Sequence, residues 1–131
     1  MKDVVRLFKL FSDETRLRIF MLLAHRELCV CQLMGVLGIS QPLISRNLSL
    51  LNSAGLLDER REGKLVFYSL RKRPSAAVAG ILSVLKTELN ADERFVDDLQ
   101  SLSDCYEFQK KTGKCDMKTF LSFMKKQRGK R

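Results

Sequence analysis

The chain has 131 residues, 45% hydrophobic and 30% charged, with 24 Lys and Arg against 15 Asp and Glu for a net charge of +9. That length fits one domain with a modest core that a second subunit could complete. No apolar run is long enough to span a bilayer, and the opening MKDVVRLFKLFSDE acquires charge too soon for a signal peptide, so the expectation is a cytoplasmic protein with no membrane partner.

Val4, Leu7, Phe8 and Phe11 recur at helical spacing and predict a first helix with one buried stripe. Ser12 is the expected cap of a second helix, with Asp13 and Glu14 in its first turn and Leu17, Phe20 and Ala24 facing inward. A short third helix is predicted from Glu27 or Leu28 to Gly38, the left-handed residue that closes helices. The fourth follows at once, with Ser40 as N-cap and Pro42 in the first turn, and runs to Asn52 or Ser53 before Gly55. Successive helical residues turn by about 100°, which gathers Gln41, Ser45, Arg46, Ser49, Asn52 and Ser53 into a polar arc. Leu43, Ile44, Leu48, Leu50 and Leu51 form the dry arc, and Asn47 falls inside it as a packing residue.

After Gly55 the period changes. Leu57, a charged stretch, the turn Glu62-Gly63-Lys64 and then Val66, Phe67 and Tyr68 predict a β-hairpin. Pro74 opens a helix carrying Val78, Ile81, Leu82 and Leu85 to about Leu89, and residues 92–103 and 116–126 are predicted as two further helices. The expected fold is mainly α with a two-stranded β-wing.

Two helices joined by Leu37-Gly38-Ile39-Ser40 and followed by a charged hairpin match a winged helix-turn-helix, whose second helix enters the major groove of double-stranded DNA. Gln41 and Arg46 are suited to bidentate contacts with adenine and guanine edges. Ser40, Ser45 and Ser49 share the exposed arc or its start, and Arg60, Arg61 and Lys64 on the wing would meet phosphates. The charge distribution agrees, because residues 1–73 carry a net +6 and residues 105–131 a net +7 around an acidic middle of −4.

The segments FKLFSDETRLRIFMLL, ELCVCQL, SQPLISRNLSLLNSAGLL and REGKLVFYSL resemble successive blocks of the ArsR/SmtB family of winged-helix metalloregulatory repressors over roughly residues 5–70. The resemblance implies a homodimer that binds an inverted-repeat operator and leaves it when an inducer binds. It also implies dimerisation through the first helix and the helix after the wing, where Val78, Ile81, Leu82 and Leu85 would be buried. Residues 1–90 would then form the DNA-binding and dimerisation domain, and residues 91–131 a helical extension with a basic tail.

Cys29 and Cys31 would sit at the start of the third helix, where the positive end of the helix dipole favours the thiolate that binds soft metals. Residues i and i+2 of a regular helix point about 200° apart, so one ion held by both would unwind that turn. A coupling of about 1–3 kcal/mol would change operator affinity roughly 5–150-fold.

The motif is similar to the Cys-Val-Cys-Asp-Leu-Cys of arsenic- and antimony-sensing members, which implies As(III) or Sb(III) as inducer with no organic cofactor. Here Gln32 replaces the Asp and Met34 the third Cys. Cys105 or Cys115, separated by nine residues that could fold back as a loop, could complete the site, as distal cysteines do in the similar cadmium- and lead-sensing branch. A methylated arsenical would need only two protein thiols, and a small cellular thiol is a third solution. A thiol redox sensor is a further alternative. The resemblance also implies that zinc, nickel or cobalt sensing would use paired histidines with carboxylates on the helix after the wing, and this is disfavoured because His25 is the only histidine and residues 74–98 contain none. An enzyme is disfavoured because the dithiol spacing is wrong for a reductase, no nearby histidine can act as base and no Gly-rich phosphate loop is present.

Overall fold

A computed structural model describes residues 1–113 and 117–130, apart from the side chains of 117–120 and 128–130. In chain order the elements are α1 (Lys2–Phe11), α2 (Glu14–His25), β1 (Leu28–Cys29), α3 (Val30–Leu37), α4 (Gln41–Ser53), β2 (Leu57–Glu62), β3 (Leu65–Leu70), α5 (Ala76–Leu89), α6 (Glu93–Thr112) and α7 (Met117–Lys130). The expected mainly helical fold with an antiparallel wing is observed.

Local chemistry explains most boundaries. Asp13, in extended geometry at φ −102° and ψ 124°, caps α2 by accepting the Arg16 backbone N–H at 3.3 Å. The predicted cap, Ser12, lies one residue earlier at φ −83° and ψ −3°, still helical, and its hydroxyl instead donates to the Lys9 carbonyl at 2.7 Å. Ser75 caps α5 by accepting the Val78 N–H at 3.3 Å.

The wing hairpin is joined by a third strand. β1 pairs antiparallel with β3, giving the sheet order β1-β3-β2, with Leu28 opposite Tyr68 and Cys29 opposite Phe67. This pairing holds Leu28 and Cys29 extended, so α3 begins at Val30, two or three residues later than the expected start at Glu27 or Leu28.

Ile19, Phe20, Leu22, Leu28, Leu33 and Ile44 are fully buried at the centre of the core. α6 and α7 extend that core across the face of α3, contributing Leu102, Cys105 and Phe123. α6 is one helix of 20 residues, where the sequence pattern predicts an end near residue 103 and a loop through Cys105. Its buried face is formed by Asp98, Ser101, Leu102 and Cys105, two of them polar. Asp98 is matched there by a bidentate Arg18 at 2.8 and 2.9 Å, and the Ser101 hydroxyl donates to the Val36 carbonyl at 2.9 Å. Gly113 closes α6 in the left-handed region at φ 65°. Among the described residues, no helix is long and apolar enough to cross a membrane.

Candidate functional site

The turn between α3 and α4 follows from Gly38, which reaches φ 66° and ψ 33° at no steric cost while its N–H donates to the Met34 carbonyl at 2.8 Å. Two residues later Ser40 is extended, and its carbonyl accepts the Ile44 N–H at 3.0 Å to start α4. α4 buries Ile44, Asn47, Leu48 and Leu51. Ser40, Gln41, Arg46 and Ser49 are exposed and Ser45 is half-buried, so the polar arc is where the sequence places it. Asn47 is the packing residue expected, accepting from Arg16 Nη1 at 3.3 Å and donating through Nδ2 to the Leu43 carbonyl at 2.9 Å. Leu43 and Leu50 depart from expectation. They are 42% and 39% exposed, because the buried arc is set by Ile44, Asn47, Leu48 and Leu51 and its edge stops short of them.

On the wing, Arg60, Arg61 and Lys64 are all exposed. Arg60 is more constrained than a simple phosphate contact. Its guanidinium donates to Glu27 at 2.7 and 3.0 Å and to Glu62 at 2.8 Å, and its plane lies 4.7 Å from the centre of the Phe67 ring. Hydrogen bonds to Glu27 first, and then to Glu62, hold the Arg60 pKa above its ordinary value. Asn52 donates to Glu59 at 2.8 Å, tying the end of α4 to β2.

Cys29 and Cys31 lie on either side of a strand-to-helix boundary, not on one helical turn. Cys29 is the last residue of β1 and the N-cap of α3, extended at φ −95° and ψ 170° and 1% exposed. Cys31 is the second helical residue and half-buried. The 200° separation expected of two helical residues therefore does not apply, and what a shared ligand would bend is the junction. Gln32 steadies that junction from inside, accepting the Cys29 N–H through Oε1 at 2.9 Å and donating through Nε2 to Gln109 of α6 at 3.1 Å.

The register also reaches the wing, since Cys29 faces Phe67 and Phe67 faces Arg60. Side chains directly opposite one another in a sheet share a face. One cross-strand row thus runs from the thiol to the wing arginine.

Cys105 is buried within α6, inside a helix and not in the loop the sequence suggested. Cys115 lies outside the described residues. Among the described residues, no three His, Cys, Asp or Glu side chains gather to hold a metal ion. His25 is exposed at the end of α2, as expected. Sequence reasoning did not find Glu27, Phe67 or Gln109. Glu27 adjoins the thiol motif and could have been suspected, but the other two depend on a register and a helix packing that no local pattern encodes.

A tight helix-turn-helix with an exposed polar face on its second helix, flanked by a basic antiparallel wing, defines a winged helix-turn-helix transcription regulator. The model of the bacterial regulatory proteins of the arsR family matches residues 13–59. An arsenical resistance operon repressor of Escherichia coli is 49% identical over 79 residues, covering 60% of this chain and 68% of that protein. An arsenic resistance transcriptional regulator of Pseudomonas putida is 45% identical over 92 residues, covering 70% and 77%. The homodimeric winged helix-turn-helix DNA-binding domain of a possible ArsR-family regulator from Mycobacterium bovis superposes with a TM-score of 0.57 at 28% identity, covering 70% of this chain and 82% of that one. The chain belongs to the arsR family of bacterial regulatory proteins, and it is a transcriptional repressor of the winged-helix kind.

Proposed function

We propose that the protein is a homodimeric repressor that binds an inverted-repeat operator and is released when trivalent arsenic or antimony binds Cys29 and Cys31. The two α4 helices would enter successive major grooves, with Gln41, Ser45 and Arg46 toward the bases and Ser40 and Ser49 flanking them. Arg61 and Lys64 would lie on the phosphates, with Arg60 held beside them by Glu27. α1 and α5 supply the dimer face: Val4, Phe8 and Val84 are 49%, 64% and 60% exposed, while Ile81, Leu82 and Leu85 are only half-buried.

The observation that carries the sensing half is the position of Cys29. It belongs at once to the strand that pairs with the wing and to the cap of the helix that leads into α4. A ligand drawing Cys29 and Cys31 together pulls on both DNA-contacting elements, through Phe67 to Arg60 and through α3 to the Gly38 turn. Two thiols suit a soft, thiophilic ion and not a hard cation. With arsenous acid, each As–S bond forms as a thiol proton leaves with a hydroxyl of arsenic as water. The product is a dithiolate with one remaining hydroxyl, or a methyl group for a methylated arsenical, and no oxidation state changes. The names of the two arsenic-resistance relatives support this inducer class.

The test is operator release by fluorescence anisotropy, titrated with arsenite, methylarsenite, antimonite, cadmium, lead and zinc. Arsenite and antimonite are expected to weaken wild-type binding roughly 5–150-fold and to leave Cys29→Ser on the DNA. The double variant Cys105→Ser, Cys115→Ser should respond like the wild type. Loss of its response would instead support a four-thiol cadmium- or lead-type site, and release by peroxide without metal would support a redox switch. If no thiophile releases the DNA, the sensing reading fails while the DNA-binding reading stands.

A further inference from the structure

We infer that Leu43 is a specificity-determining residue that reads the 5-methyl group of a thymine in the operator; this rests on α4 entering the major groove. Leu43 is the third residue of α4 and 42% exposed, although the same helix buries Ile44, Leu48 and Leu51 almost completely. It is held in that orientation. Asn47, one turn on, accepts from Arg16 of α2, and together with the buried Ile44, Leu48 and Leu51 this contact sets the roll of the helix and leaves Leu43 at its outer edge.

The neighbours show what Leu43 would face. Arg46, one turn after it and about 60° round the helix, is exposed beside it, whereas Gln41, two residues before it, is exposed but points about 200° away. The first turns of a recognition helix are the part that approaches base edges. There the thymine methyl is the one apolar group that a base presents in the major groove. A leucine beside an arginine at this position complements a thymine next to a guanine contact. Leu50 provides an internal control. It is similarly exposed on the same stripe but seven residues further along, about 10 Å down the helix axis, beyond the stretch that reads bases.

The experiment uses the full chain and the duplex most enriched by in vitro selection on it. Each thymine of that duplex is replaced in turn by uracil, which removes only the methyl group, and affinity is read by anisotropy at fixed salt. For the wild type, one thymine per half-site should show a loss on the order of fourfold on replacement, the worth of one buried methyl-sized group. Leu43→Ala should bind the thymine duplex more weakly by a similar factor and no longer distinguish thymine from uracil there, whereas Leu50→Ala should discriminate like the wild type. Discrimination that survives in Leu43→Ala, or uracil tolerance at every position in the wild type, overturns the assignment. Failure of the selection to enrich any duplex would instead overturn the DNA-binding reading on which it rests.

Discussion

The two helical flanks of the winged core treat their side chains in opposite ways. On one side α6 and α7 bury Phe123 and Cys105 to 2% and 1% exposure and place a carboxylate, Asp98, against Arg18 in the interior. On the other side α1 is anchored by Leu10 and by an edge-on contact of Phe11 with Phe20, rings 4.7 Å apart, yet it leaves Val4, Val5 and Phe8 bare. α5 buries only Val78. Among the described residues the first flank leaves Val96 and Leu121 as its exposed large apolar side chains and is otherwise covered within one chain, whereas the second has the surface of an element that awaits another. Apolar content alone does not tell them apart; the difference lies in how much of each apolar face is covered inside the same chain.

The largest effects are expected on the covered flank. Asp98→Ala strands the Arg18 guanidinium, whose side chain is only 14% exposed and whose raised pKa comes first from its hydrogen bond to Asp98. Removing one partner of such a pair costs about 3–5 kcal/mol, and Phe123→Ala costs about 3–5 kcal/mol through its cavity. Both are measured as shifts in urea unfolding of the whole chain. A cost under about 1 kcal/mol for both would mean that α6 and α7 merely rest on the core.

The bare flank should respond in assembly before stability. Phe8→Glu places a charge on the face proposed for the dimer, while Phe8 is already 64% exposed in the single chain. Sedimentation is expected to show monomers at concentrations where the wild type is dimeric, with operator affinity falling alongside. The intrinsic unfolding energy of the monomer should change by no more than about 0.5 kcal/mol, as for other surface substitutions. A variant that stays dimeric removes α1 from the interface.

A smaller contrast concerns paired arginines. Arg18 is paired and interior, whereas Arg60 is paired to Glu27 and Glu62 at the surface, its side chain 49% exposed. An arginine already met by carboxylates has less charge to offer a phosphate. Arg61→Ala should lower the log–log salt slope of operator binding by about 1 and Arg60→Ala by clearly less. Equal slopes would mean that Arg60 leaves Glu27 when DNA arrives.

Much of this was legible in the sequence where the determinants are local. Ser40, Pro42 and Gly38 set the helix-turn-helix within five residues, and the polar arc of α4 needed only the helical repeat. Asn47 was placed correctly because one amide inside an apolar arc has few other uses. Leu43 was misplaced for the converse reason: a leucine beside an apolar arc is counted into it, and only the Arg16–Asn47 contact, 31 residues apart in sequence, shows where the arc ends. The thiol motif was found, but not its geometry, because Cys29 is drawn out of α3 by Phe67 some forty residues away. α6 is cut short in the sequence reading because past Leu102 the next inward position is Cys105, which is read there as a candidate ligand and not as part of a helix's buried face.

The smallest predicted effect lies on the central strand, which belongs to neither flank. Burial, and then the charge of Glu59 opposite, raise the Tyr68 phenol pKa above its ordinary 10.0, with Arg61 pulling the other way. The folded chain therefore favours the neutral phenol. As pH rises through 10.0 the unfolded chain releases this proton first. From there the folded state binds more protons than the unfolded, and stability falls with pH until the folded phenol ionises too. The contribution is whole below that range and lost above it. Urea midpoints followed from about pH 8 to about pH 11 should decline more steeply in the wild type than in Tyr68→Phe, and comparing the two cancels the thiols and lysines that titrate nearby. Parallel declines would show that Tyr68 is as well solvated in the folded chain as in the unfolded one, and that the sheet joining the thiol to the wing is wetter than the packed flank beside it.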